Sequence, residues 1–130
     1  MKRHQKLQDL SREHYSALKL ALQAKRAALS GDPREIESAT TACVTSFRLE
    51  LDPHFLVEEQ TLLPILLASG EHRVVQRVEA DHAELRRLAG GLLDPDTATL
   101  LAFAELLTSH VRFEEREMFE ILESYLESSP

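Results

Sequence analysis

Tryptophan is absent from this chain, cysteine occurs once, at Cys43, and glycine and proline number four and five among 130 residues. A lone cysteine closes no internal disulfide, so a reducing, cytoplasmic compartment is expected. Cys43 sits between Ala42 and Val44 with no activating neighbour and reads as a small packing residue. Scarce glycine and proline, with aromatics at 5%, suit helices better than strands. Long apolar runs are missing as well. The longest, Leu62 to Ala68, has seven residues, too few to cross a bilayer, so no membrane partner is expected. Basic clusters are lacking, and a net charge of −7 argues against nucleic acid and against anionic membrane surfaces. No apolar run follows Met1-Lys2-Arg3-His4-Gln5-Lys6, so no secretory leader is expected.

What is present is a globular composition, 43% hydrophobic and 28% charged. The length fits one domain, residues 1–130, around a single core. Four helical blocks fill it. The first runs from about Leu7 to Leu29 and stops at Ser30-Gly31-Asp32-Pro33; the second covers Arg34 to Ala68 and ends near Ser69-Gly70. The third runs from Glu71 to Ala89 and closes on Gly90-Gly91 and a turn through Asp94-Pro95-Asp96. Asp96 then caps a fourth helix reaching Glu127. Short loops between long helices imply an all-α, up-down-up-down antiparallel four-helix bundle. Pro53 is a conflict inside the second helix: it either bends the helix or, as Asp52-Pro53, restarts it with a cap.

Apolar residues recur in steps of three and four along each block. The seams are Leu7, Leu10, His14, Leu18, Ala21; Val44, Phe47, Leu51, His54, Glu58, Leu62, Ile65; Val75, Val78, His82, Leu85, Ala89, Leu92; and Leu100, Phe103, Leu107, His110, Glu114, Met118, Ile121, Tyr125. Six polar residues stand on these buried stripes: His14, His54, Glu58, His82, His110 and Glu114. His54 and Glu58, like His110 and Glu114, are four apart, so imidazole and carboxylate share one helix face. Burying two carboxylates without a cation costs several kcal/mol each, on the order of the desolvation of a charge, or forces them neutral. The six are therefore expected to bind two metal ions in the bundle centre. Imidazole and carboxylate without thiolate suit iron or manganese, and also admit zinc.

The neighbours Glu59 and Glu115 lie one position off the stripe and read as solvated or supporting groups; Glu13 and Asp81 read as surface charge, and His4 and His72 as surface residues. Ferritin-like di-iron bundles need an ExxH pair on each of two helices, and Glu79-Ala80-Asp81-His82 is the only one here. Neither HExxH nor CxxC nor a glycine-rich phosphate loop occurs.

The segments His54-Phe55-Leu56-Val57-Glu58-Glu59 with Leu62-Leu63-Pro64, and His110-Val111-Arg112-Phe113-Glu114-Glu115 with Met118-Phe119, resemble the hemerythrin-like (HHE cation-binding) family, as do Glu13-His14 and Asp81-His82. The resemblance spans essentially the whole chain. It implies a non-heme di-iron centre with a bridging oxide or hydroxide and with Glu58 and Glu114 as bridges. His14 and His54 would serve one iron, His82 and His110 the other. Oxygen carriers of that family have a further histidine one turn from the one on the third helix, where this chain has Val78 and Arg86. The implied site is more symmetric and more open than a carrier's. The expected function is to bind, sense or react with dioxygen, nitric oxide or peroxide, as a binding protein more than an enzyme. Iron storage or donation, oxidase- or peroxidase-like turnover, and a structural bundle with a zinc or vestigial site are the alternatives.

Overall fold

The structure, a computed structural model, describes residues 3–93 and 96–127. Among them are four helices and no strand: α1 (Gln5–Ser30), α2 (33–68), α3 (His72–Gly91) and α4 (97–127). They pack as a ring in which α1 touches α2 and α4, and α3 touches α2 and α4. This is the expected up-down-up-down order. The connection after α1 is two residues long. Gly31 takes φ 70°, a left-handed position that glycine enters without a Cβ penalty, and the Asp32 carboxylate accepts from Arg34 N–H at 2.9 Å to cap α2. Asp96 caps α4 in the same way through Ala98 N–H, at 3.1 Å. Of the turn expected before it, Asp94 and Pro95 lie outside the described residues. His4 is not the plain surface residue expected, because its imidazole Nδ1 accepts from Lys6 N–H at 3.1 Å and caps α1.

Pro53 does not restart α2. Asp52 is helical (φ −65°, ψ −43°), where a cap would be extended, and the helix continues. One widened turn, 47–51, ends just before it, and Asp52 N–H reaches back five residues to the Phe47 carbonyl. A second, 58–62, precedes Pro64, with Leu63 N–H on the Glu58 carbonyl. Proline removes a donor and crowds the carbonyl four residues back, and a turn with one extra residue relieves both faults without ending the helix. A third widened turn, 114–118, lies in α4 and, like the second, begins at a glutamate of the six.

Each widened turn inserts one residue into the repeat, so the buried stripe moves on by one. Beyond Glu58 and Leu62 it continues at Leu66, fully buried, and the expected Ile65 is half-buried. Beyond Glu114 and Met118 it continues at Leu122 instead of Ile121. Elsewhere α1 buries Ala17 where Leu18 was expected, α2 buries Cys43 where Val44 was expected, and Phe47 and Tyr125 are only half-buried; the remaining seam positions are buried. Below His14 the inner face of α1 is Ala17, Ala21, Ala24 and Ala28, small enough to bring its backbone close to its neighbours.

The apolar interior is in two parts. One is built on Ala21, Cys43, Phe55, Leu85, Phe103 and Leu107, the other on Leu7, Leu66, Val78, Met118, Phe119 and Leu122. Between them lies a polar layer holding all six expected ligands. Cys43 is fully buried, and the loss of water around it pushes its thiol up to about 11, so it is inert packing.

Candidate metal centre

His14, His54, Glu58, His82, His110 and Glu114 are each 0–4% exposed, and α1 and α3 supply one residue apiece while α2 and α4 supply two. The four-residue spacing places Glu58 over His54, with Oε2 3.1 Å from Nε2, and Glu114 over His110, with Oε2 3.0 Å from Nε2. Each carboxylate then divides its oxygens. Glu58 turns Oε2 to the His14 and His54 side and Oε1 to His82 Nε2 at 3.1 Å. Glu114 turns Oε1 to His14 Nε2 at 2.7 Å and Oε2 to His110. The result is two adjacent four-residue groups, His14/His54/Glu58/Glu114 and Glu58/His82/His110/Glu114, sharing both glutamates. In each, one ligating atom per residue lies within 4.8 Å of the others, close enough to hold a metal ion.

The remaining ring nitrogens are held from behind. Every Nδ1 faces a carboxylate, which at neutral pH only accepts, so each Nδ1 carries the proton. His14 donates to Glu115 at 2.6 Å, His54 to Glu13 at 2.8 Å, His82 to Glu59 at 2.7 Å and His110 to Asp81 at 3.0 Å. The four bonds run round the ring: an acid on α1 holds the histidine of α2, α2 holds that of α3, α3 that of α4, and α4 that of α1. Sequence reasoning read Glu13 and Asp81 as surface charge and left Glu59 and Glu115 undecided. Each stands directly beside a ligand candidate in sequence, a signal that was visible, but the histidine it serves is on another helix, which was not.

Three of the four acids are fixed in turn. Arg86 donates to Glu59 at 2.9 and 3.2 Å, Arg77 to Asp81 at 2.9 Å, and Ser11 to Glu115 at 3.1 and 3.0 Å with Arg3 also at 3.3 Å. Arg86, at the place where a carrier's extra imidazole was sought, thus supports His82 through Glu59. Val78, at the other, is fully buried in the apolar core. Phe55 stacks on His82 (centroids 4.0 Å apart, 15° between planes) and Phe119 on His14 (5.1 Å, 24°), walling the layer with carbon. Neither tyrosine joins: Tyr15 is exposed and Tyr125 donates to Glu71 at 3.0 Å.

A cation fits this donor set better than the residues satisfy one another. Glu58 Oε1, Glu114 Oε2, His82 Nε2 and His110 Nε2 are buried without a hydrogen-bond partner, although they lie 3.0–3.1 Å apart in pairs. Their lone pairs converge on common space instead of on each other. His14 Nε2 and His54 Nε2 also face one another at 3.1 Å, an approach that two neutral acceptors resist and a shared cation favours.

Without a cation, protons carry the compensating charge. Burial opposes charging of His14, yet hydrogen bonds to Glu114, Glu115 and Glu58 outweigh it and hold the imidazole up at about 11. Burial likewise opposes His82, which Glu114 and Glu58 raise to about 10, and His110, which Glu114 and Asp81 raise to about 8. His54 is raised mainly by Glu58 against its burial. Glu114 is held well below the usual carboxylate range, its burial overcome by His110, His14 and His82.

The carboxylates behind the histidines have a measurable consequence. Glu59→Gln keeps the volume but loses the charge facing His82, and should weaken metal binding about 10–100-fold, read by competition with a coloured chelator. Unchanged affinity would mean that Glu59 serves only Arg86.

The family described as hemerythrin HHE cation binding domain matches the chain over residues 4–122. No curated protein and no solved structure matches it.

Proposed function

The chain belongs to the hemerythrin HHE cation-binding family, and from that premise we propose that it is a non-heme di-iron protein whose bundle core takes up dioxygen, nitric oxide or peroxide. The observation that carries the reading is the pair of buried His/Glu groups sharing Glu58 and Glu114. In this reading His14 and His54 hold one ion, His82 and His110 the other, and the two glutamates bridge them. Imidazoles and carboxylates suit iron, and they also accept manganese or zinc. Bound iron supplies electron exchange with the small ligand.

The chain's own residues do the rest. The carboxylates on each Nδ1 fix the ring orientation and turn Nε2 inward. Phe55, Phe119 and the two apolar clusters keep bulk water from the layer. The four histidines are matched two and two, so neither half of the centre is saturated with imidazole, and each half keeps room for a small ligand. Among the described residues no helix is long and apolar enough to cross a membrane. A buried, unpaired Cys43 accords with a reducing, cytoplasmic setting.

The test is optical. The anaerobic, iron-loaded protein is exposed to dioxygen or nitric oxide, and the spectrum is followed through repeated removal of the gas. Reversible change supports binding or sensing; steady consumption of a supplied reductant supports catalysis. A spectrum indifferent to both gases and to peroxide would sink the reading.

A further inference from the structure

One side of the polar layer is built differently from the other three. Glu59, Asp81 and Glu115 are each pinned by an arginine or a serine, and their side chains are 10–26% exposed. The Glu13 side chain is 56% exposed, and among the described residues its carboxylate's only hydrogen bond is the one from His54. Beside it, between α1 and α2, opens a cavity of about 340 Å³. Its inner end is formed by the buried His14, His54 and His110, its walls by Leu51, Phe55 and Val111, and its mouth by the exposed Glu13, Leu49 and Glu50. The widened turn 47–51 lines it, so the local geometry that lets α2 pass Pro53 also shapes this opening.

We infer that this cavity is the port by which a divalent cation reaches the His/Glu layer, with Glu13 as the carboxylate that receives it at the mouth and passes it inward past His54. The inference rests on the metal-binding reading above. A hydrated cation meets a carboxylate most readily where that group is exposed and not held by a fixed arginine, and of the four acids only Glu13 meets both conditions. When Glu13 turns to the cation, His54 loses its only anchor at Nδ1. That ring can then swing while the other three stay held by pinned acids, and the floor of the cavity, already lined by His14, opens onto Glu58.

Chelator-treated protein mixed rapidly with cobalt(II) chloride at low ionic strength tests this by the absorbance that grows as cobalt is bound. Glu13→Gln keeps an acceptor for His54 but removes the charge at the mouth, and should slow uptake about tenfold, whereas Glu59→Gln, which alters the support of His82 away from the mouth, should lower affinity without slowing uptake. Leu49→Trp, which fills the mouth, should slow it comparably, and Val57→Trp replaces it should that variant lose its helical circular dichroism. Leu22→Trp, placed in the separate groove between α1 and α4, should load at the wild-type rate. Wild-type rates in both the glutamine and the mouth-filling variants overturn the port. So does equal slowing in Glu59→Gln, which would make the effect that of a lost supporting carboxylate anywhere in the ring and not of the mouth. Absence of cobalt uptake by the wild type would instead overturn the metal-binding reading itself.

Discussion

Glu114→Ala should remove bound metal from the protein and lower the stability of the metal-free form by about 3–5 kcal/mol. Glu114 is fully buried, 2.7 Å from His14 and 3.0 Å from His110, with His82 at 3.7 Å. In the metal-free state these imidazoles are charged, and Glu114 is the carboxylate common to all three. Its loss strands positive charge in a dry layer, a far larger penalty than a lost surface pair. In the proposed metal-bound state the same residue would bridge both ions, so its loss would leave neither with its full ligand set. Glu114→Gln retains the volume and part of the hydrogen bonding, and should recover some stability but not metal. Urea unfolding of the chelated proteins and metal analysis of the loaded ones separate these effects. An alanine variant that keeps wild-type metal content would remove Glu114 from the ligand set, and one with wild-type stability would mean that the buried ion pairs contribute nothing.

Metal binding should strengthen steeply between pH 6 and 7.5, by more than about tenfold per pH unit, because each ligand imidazole must release a proton. With His14 at about 11, His82 at about 10 and His110 at about 8, all three are protonated in the metal-free protein across that range. The metal-free fold responds in the opposite sense. Histidines raised above 6.5 contribute stability that is fully present below 6.5 and is lost as pH climbs through about 8 to about 11. Glu114, depressed below 4.5, contributes stability present above 4.5 and lost as pH falls past its lowered value. The chelated protein should therefore be most stable between 4.5 and 6.5, and the stabilisation conferred by metal should widen toward alkaline pH. Urea midpoints with and without metal at pH 6 and pH 9 decide this. Equal gaps at the two values would mean that protons and metal do not compete for the same nitrogens.

Much of this was legible in the sequence because a ligand on a buried stripe contradicts the stripe. An imidazole or carboxylate where Leu is due stands out, and six of them on four converging helices identify both the bundle and its centre. What remained hidden has two physical sources. One is the widened turn: the repeat of three and four presumes a uniform helix, and an extra residue at 58–62 and at 114–118 moved burial from Ile65 to Leu66 and from Ile121 to Leu122. Pro64 offered a hint of the first, and the 114–118 turn has no proline to announce it. The other is the ring of acids behind the histidines. Glu13 beside His14 and Asp81 beside His82 are local in sequence, but they act on His54 and His110 across the helix gaps. No one-dimensional spacing encodes such a cross-helix pairing; it emerges only when the layer closes.

The most direct test of the central claim is the ratio of iron to chain after anaerobic reconstitution with excess ferrous salt and desalting, in the wild type and in His54→Ala and His110→Ala. Two irons per chain, one for each of the two four-residue groups, with a reduced ratio in both variants, is the predicted result. No bound iron, or a ratio indifferent to both substitutions, would contradict a di-iron centre built on these residues.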